Sequence, residues 1–310
     1  MSIIKKILVV SNIALLAGAG AVAQVPDPPV ADTVSKYANS AWMPSLVKDG
    51  VIERVEHEYK VQPWKTIREN DVAWQHRVWK QISVKEKMNA PFLYAGDEYT
   101  NGGAFIEILN HAIRTKQITA YSSLDDRFTI PIKAEDLDDI LGIGIDTTWT
   151  YDPETQEEVP VLVNNTFNVS SVTRYLIKED WVFDRNSGRV QKFIIGIAPI
   201  MEVYNKSDGR FEYSQTLYWI QYPNARQVLG QYEVYNSRNM VKRMTWTDYL
   251  EGGYYSSVVY KYSKNNPMGR NLYQIGDVSG QGPNKDFRGL VEGERAMEDL
   301  MNQELDMWER

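Results

Sequence analysis

The sequence predicts an α+β protein in which an antiparallel β-meander and hairpins pack with several helices behind an extended N-terminal arm. Three observations lead there. The runs "VTRYLIKEDWVFD", "RVQKFIIGIAPIMEVY" and "FEYSQTLYWIQYP" are rich in β-branched and aromatic residues, and "RNSG" and "NKSDG" between them are good hairpin turns. Several other segments repeat apolar residues at helical spacing. Near the start, "VPDPPVADT" cannot continue a helix and favours extended backbone. With 310 residues, the chain has ample length for a buried core in one large domain or two modest ones.

The first segment is read as an export signal. "MSIIKKILVVSNIALLAGAGAVAQ" has Lys5 and Lys6, an apolar run from Ile7 to Ala17, then small residues. Ala21, Val22 and Ala23 fit the small-x-small cleavage rule, so residues 1–23 form the expected signal peptide and Gln24 the first mature residue. The apolar run is short for a membrane span, and an uncleaved anchor is the alternative. There is no cysteine, which excludes disulfides, thiolate chemistry and a lipid attached beside the cleavage site. Loss of the two lysines takes the net charge from −7 to −9, against nucleic acid as a partner. The expectation is a soluble protein of a bacterial envelope with no direct membrane anchor.

The rest of the chain divides into an arm, 24–62, a body, 63–275, and a tail, 276–310, made of a glycine-rich linker and an acidic helix. The arm alternates apolar and polar residues in short bursts and fits either the body or a neighbouring subunit. "DVAWQHRVWKQISVKEKMN", residues 71–89, is expected to be a helix capped by Asp71, with Trp74, Val78 and Ile82 on one stripe. At 100° per residue Trp79 then stands at the edge of that stripe. This places Trp74 in the core and leaves Arg77 and Trp79 at the rim as candidate partner-binding residues, since Trp and Arg often dominate interfaces. The bland alternative buries both rings in one core.

After the turn at "YTNGG", Phe105, Leu109, Ala112 and Ile113 form one face of a second helix. "KQITAYSSLDDRFTIPI" reads as two short strands around a polar turn, "AEDLDDIL" as a short acidic helix, and "DTTWTYDPETQEEVPVLV" as a hairpin turning near 152–155. Beyond the meander, "NARQVLGQYEVYNSRN" and "TWTDYLEGGYYSSVVYKYS" return to helical or mixed structure. In the tail helix Met297, Leu300, Met301, Leu305 and Trp308 are expected on one side.

No constellation of catalytic residues stands out. His57, His76 and His111 are each alone in their segments, and no HExxH, paired metal-ligand spacing or GxSxG occurs. "SLVK", residues 45–48, matches SxxK without the later partner motifs. "LGIGID" fails the dinucleotide fingerprint at Thr147. Asp125 with Asp126, and Asp136 with Asp138 and Asp139, could act as paired carboxylates, but they lack the alternation of a calcium loop. Solvated acidic turns are the simpler reading. The expectation is a protein that is not an enzyme and has no cofactor and no metal.

Four stretches taken together resemble a known family. "DVAWQHRVWKQISVKEKMN", "YLIKEDWVFDRNSGRVQKFIIGIAPI", "LYWIQYPNARQVLGQYEVYNSRN" and "MTWTDYLEGGYYSSVVYKYS" are similar, in this order, to the gliding-motility GldN family of the Bacteroidota, also called PorN. The likeness runs over about residues 63–275. Its first stretch has the form D-x-x-W-x-x-R-V-W, here Asp71, Trp74, Arg77, Val78 and Trp79, and departs from the family's basic residue at His76. The resemblance implies a structural component of the type IX protein secretion and gliding machinery. Its implied place is a periplasmic ring, held at the outer membrane by a GldK- or PorK-like lipoprotein and repeated as a homo-oligomer. The periplasmic region of a GldM- or PorM-like motor protein is a further implied partner. The alternatives are a periplasmic glycan-acting hydrolase or a glycan-binding module, because acidic residues stand beside aromatics able to stack on sugars.

Overall fold

The computed structural model describes residues 60–95, 103–151, 158–205, 209–236, 244–274 and 285–308. The expected signal peptide, nearly all of the expected arm, the SxxK match, the turn of the 144–165 hairpin and the expected linker up to residue 284 lie outside them. In chain order the elements are β1 (Val72–Ser83), α1 (Phe105–Arg114), β2 (Ala120–Tyr121), β3 (Pro131–Ile132), α2 (Leu137–Ile140), β4 (Gly144–Tyr151) and β5 (Glu158–Asn165). Then come β6 (Val172–Asp184), β7 (Arg189–Tyr204), β8 (Phe211–Thr216), β9 (Trp219–Gln221), α3 (Tyr222–Leu229), α4 (Trp246–Glu251), β10 (Val258–Tyr262) and α5 (Lys285–Trp308).

The architecture is α+β, as the sequence predicts. Eight strands form one sheet in the order β10-β1-β6-β7-β9-β2-β3, with β8 also on β7, and β4 with β5 forms a separate hairpin. Every pairing is antiparallel. β7, at 16 residues, bonds β9 at Gly196 and Ile197, then β8 from Ile200 onward. This is why the single run expected at 211–223 breaks into two strands, and its last residues open α3.

The stretch at 71–89 is a strand, not the expected helix. β1 lies between β10 and β6, in register with β6 from Trp74↔Phe183 to Ser83↔Arg174. The stripe Trp74, Val78, Ile82 misled because a spacing of four is two strand periods as well as about one helical turn. Apolar residues also fall on the other face, at Trp79, which suits a strand covered on both sides.

The face of β1 carrying Trp74, His76, Val78, Lys80 and Ile82 bears two hydrophobic clusters. The larger gathers Ile82, Tyr175, Ile177 and Ile197 beneath α1, α4 and the segment around Phe92. Its centre is aromatic: Phe92, Phe105 and Trp246 meet at ring distances of 5.3 and 5.2 Å from Phe92, and Phe105 lies 4.4 Å from Trp246. The smaller joins Val78, Trp181, Val259 and Tyr262 to Ala296 and Leu300 of α5.

α5 approaches β10 closely because a glycine faces it. A Cβ on Gly293 would sit 2.3 Å from the Val259 carbonyl oxygen, a backbone atom with no room to move aside. One turn earlier, a Cβ on Gly289 would meet Tyr273. The expected one-sided apolar face of this helix is divided: Leu300 is buried against the sheet, whereas Met301, Leu305 and Trp308 are exposed. Gly293→Ala should destabilise the protein by about 1–3 kcal/mol, as overpacking does. In an uncrowded helix it would stabilise by about 1 kcal/mol. The sign of the shift in a urea titration therefore reports the contact, and a gain in stability would refute it.

Candidate functional site

Arg77 and Trp79 point to the opposite face of β1 from Trp74, His76 and Val78. There they meet Lys178 and Asp180 of β6, their register partners Trp79↔Lys178 and Arg77↔Asp180. Arg77 grips Asp180 with two parallel hydrogen bonds, Nε to Oδ1 at 2.6 Å and Nη2 to Oδ2 at 2.7 Å, the strong bidentate geometry. Gln75 donates to the same carboxylate at 3.2 Å. The hydrogen bonds that Arg77 donates to Asp180 raise the guanidinium pKa further. An ion pair half open to water stabilises little, but two bonds plus the glutamine fix the geometry.

Trp79 is not at a rim: its side chain is only 9% exposed, which corrects the position expected of it. The indole Nε1 donates to Asp126 at 2.6 Å, and the Lys261 ammonium stands 4.3 Å from the ring centre. Asp126 comes from the turn between β2 and β3. Lys178 Nζ donates to the Asp126 carbonyl at 2.6 Å and pairs with its carboxylate at 3.3 Å. Burial alone would raise the Asp126 carboxyl, but the Trp79 hydrogen bond and the Lys178 and Lys261 charges outweigh it and hold its pKa below the usual value. For Lys178 burial dominates and lowers the ammonium, although Asp126 opposes it.

A second anchor holds the same turn. Phe128, in the left-handed region at φ 58°, lays its ring on Gly196 of β7. A Cβ at Gly196 would lie 2.5 Å from Phe128 Cζ, so glycine is required by the ring above it. Tyr121 and Trp219 complete the seat, edge-on to Phe128 at 5.6 and 6.3 Å. The strained backbone of Phe128 persists because anchors on both sides of it over-determine the turn. The 122–130 turn is thus latched over the face that carries Arg77 and Trp79.

On the other face, a buried ion pair bridges the two clusters. Lys80 Nζ lies 2.8 Å from Glu179 Oε2, and both side chains are buried. Trp181 Nε1 donates to Oε2 at 2.7 Å, and the Tyr255 hydroxyl donates to Oε1 at 3.0 Å. Trp181 belongs to the smaller cluster and Tyr255 to the larger one, so one carboxylate ties them together. Strand register slips at this point, between Trp79 and Lys80 against β10 and between Lys178 and Glu179 against β7. Such bulges re-aim side chains locally.

His76 lies under α5, stacked 5.3 Å from Trp74 and edge-on to Tyr262 at 5.5 Å. Burial, then Lys264, lowers its pKa, against Gln303 and Asp299, which raise it. His111 is exposed on α1, far in sequence from His76, and His57 lies outside the described residues. Among the described residues no group of three His, Cys, Asp or Glu could hold a metal ion. Three of the acidic residues singled out from the sequence have side-chain partners. Asp125 accepts from Arg127 N and the Thr129 hydroxyl, Asp126 is the latch, and Asp138 pairs with Arg114 at 2.6 Å. A groove of about 320 Å³ lies between the 64–67 segment and β1, β6 and β7, lined by Trp64, Ile67, Gln75, Val182 and Phe193.

Lys178, Glu179 and Asp180 were missed in the sequence. Their signal is three consecutive charges inside a run apolar on both sides. In a central strand each must find a partner or pay desolvation in full. The arrangement is suited to fixing a rigid plate of sheet with one turn clamped on it.

No curated protein matches the chain. A family model described as gliding motility associated protein GldN matches residues 67–309. The match takes in β1, the latch and the whole sheet, and runs on through α5.

Proposed function

Since the chain belongs to the GldN family of gliding-motility-associated proteins, we propose that it is a non-enzymatic structural subunit of the type IX secretion and gliding machinery. In this reading it works in the periplasm as one of many copies in a ring. An outer-membrane lipoprotein of the GldK or PorK kind holds it there, and the periplasmic region of a GldM- or PorM-like motor touches it. The observation that carries the reading is the family match over the folded body. No helix among the described residues is long and apolar enough to cross a membrane.

Within this proposal Arg77 and Trp79 divide the work. Arg77 keeps 40% of its side chain exposed and remains able to touch a neighbouring subunit. Trp79 acts through the turn it holds rather than by contact. The test is copurification of the native protein from membranes solubilised in mild detergent, with the bound proteins identified by mass spectrometry. A lipoprotein recovered in fixed ratio is the expected result. A subunit recovered alone, or one that releases sugars from cell-wall fragments, overturns the proposal.

A further inference from the structure

α5 carries a second apolar face that the sheet does not use. At about 100° per residue, Phe287, Leu290, Met301, Leu305 and Trp308 fall within a sector of roughly 60°. Gly289, Gly293, Ala296 and Leu300, which face the sheet, are turned about 120° away. The outward residues are exposed: Phe287 66%, Leu290 40%, Met301 58%, Leu305 52% and Trp308 61%. Together they make a ridge about 32 Å long at 1.5 Å per residue. The spacing of three and four is that of a coiled-coil seam, with half-buried Met297 between the two halves of the ridge.

The charge around the ridge decides what fits it. Glu294 and Glu298 occupy the sector and its border, where no lysine or arginine falls, while Glu304 turns to the sheet and accepts from Val190 N at 3.4 Å, and Arg288 and Arg295 lie on the far side. The last turn contains no basic residue, although the helix dipole leaves its C-terminal end negative. The end is nonetheless held in place, because Trp308 Nε1 donates to the Gly188 carbonyl of the β6–β7 turn at 2.8 Å. A second copy of α5 would set carboxylate against carboxylate along the seam.

We propose that the outward ridge of α5 is a docking seam for a helix of another protein, apolar on one side and lined with lysine or arginine on its flanks. The ridge supplies anchors at helix-in-groove spacing, and its acidic border pairs with the basic flanks. The inference stands apart from the ring proposal, which the lipoprotein copurification tests separately. The probe is a labelled synthetic peptide with leucine at three- and four-residue spacing and lysine on both flanks, titrated into the full chain by fluorescence anisotropy. A matched peptide with glutamate for lysine is the control.

The expected result is saturable binding of the basic peptide alone. M301S/L305S, which keeps the charge, should weaken it about tenfold or more, as loss of anchor residues does. That variant should melt with the parent, because both side chains are exposed. Failure of the basic peptide to bind overturns the proposal, as a segment of the chain already lying on the ridge would produce. Equal binding of both peptides, or binding indifferent to M301S/L305S, overturns it too. So does self-association of the parent in sedimentation that M301S/L305S abolishes, since the seam would then take a second copy.

Discussion

Glu179→Ala is expected to be among the most damaging single changes in this protein, costing about 3–5 kcal/mol of stability. The carboxylate it removes is buried and accepts from three groups: Lys80 at 2.8 Å, Trp181 at 2.7 Å and Tyr255 at 3.0 Å. Without it, the Lys80 ammonium is left in the interior beside the Trp181 ring, 5.0 Å away, which the Lys192 ammonium already faces at 4.1 Å. Two neutral donors lose their acceptor at the same time. The double change Lys80→Met with Glu179→Leu should cost less than Glu179→Ala alone. It removes the orphaned charge and leaves the indole and phenol, at about 1–3 kcal/mol each. Chemical denaturation of the three proteins measures this. A double variant that costs as much as Glu179→Ala, or more, would mean that the pair is not buried as described.

Trp79→Ala should cost about 3–5 kcal/mol, since a large aromatic ring leaves a covered site. Trp74→Ala should cost less, because Trp74 is half-buried at the margin of the smaller cluster. This ordering is the reverse of what a helical reading of 71–89 gives. Part of the Trp79 effect runs through Asp126, so Trp79→Phe and Asp126→Ala should couple in a double-mutant cycle by about 0.5–3 kcal/mol. The latch also has a pH signature. A carboxyl whose folded pKa lies below its unfolded value of about 3.9 adds stability above that value and loses it as pH falls through the folded pKa. The stability of the parent should therefore drop below about pH 4 more steeply than that of Asp126→Asn. Melting curves from pH 6 downward compare the two, and parallel curves would remove Asp126 from the latch.

Much of the chain is legible in its sequence for local reasons. α1 reads out because Phe105, Leu109, Ala112 and Ile113 repeat at helical spacing. The β6–β7 hairpin reads out because "RNSG" supplies a glycine where the backbone is left-handed, at Gly188 with φ 63°. The four family stretches carry the family without any structure, since a resemblance needs only residues in order. The helix at 71–89 fails for an equally definite reason. Its apolar spacing fits two periodicities, and which one wins depends on β6 and β10, from about 100 to 180 residues further along the chain.

The candidate site is the part that sequence alone could not place. Arg77 and Trp79 are conspicuous by type, but whether a tryptophan faces solvent depends on what is laid over it. Here that is a turn from 47 residues away, with Asp126 aimed at the indole and Phe128 seated on Gly196. The pairing of Lys80 with Glu179 likewise depends on strand register, which the sheet sets and the segments do not. For α5, the amino-acid order determines an amphipathic acidic helix. Gly293 and the Val259 carbonyl decide which side meets the sheet, and so leave Met301, Leu305 and Trp308 facing outward. Local propensity and pattern are properties of a few neighbouring residues and are written in the chain. Burial, register and charge pairing depend on long-range contacts, and these exist only once the sheet has closed.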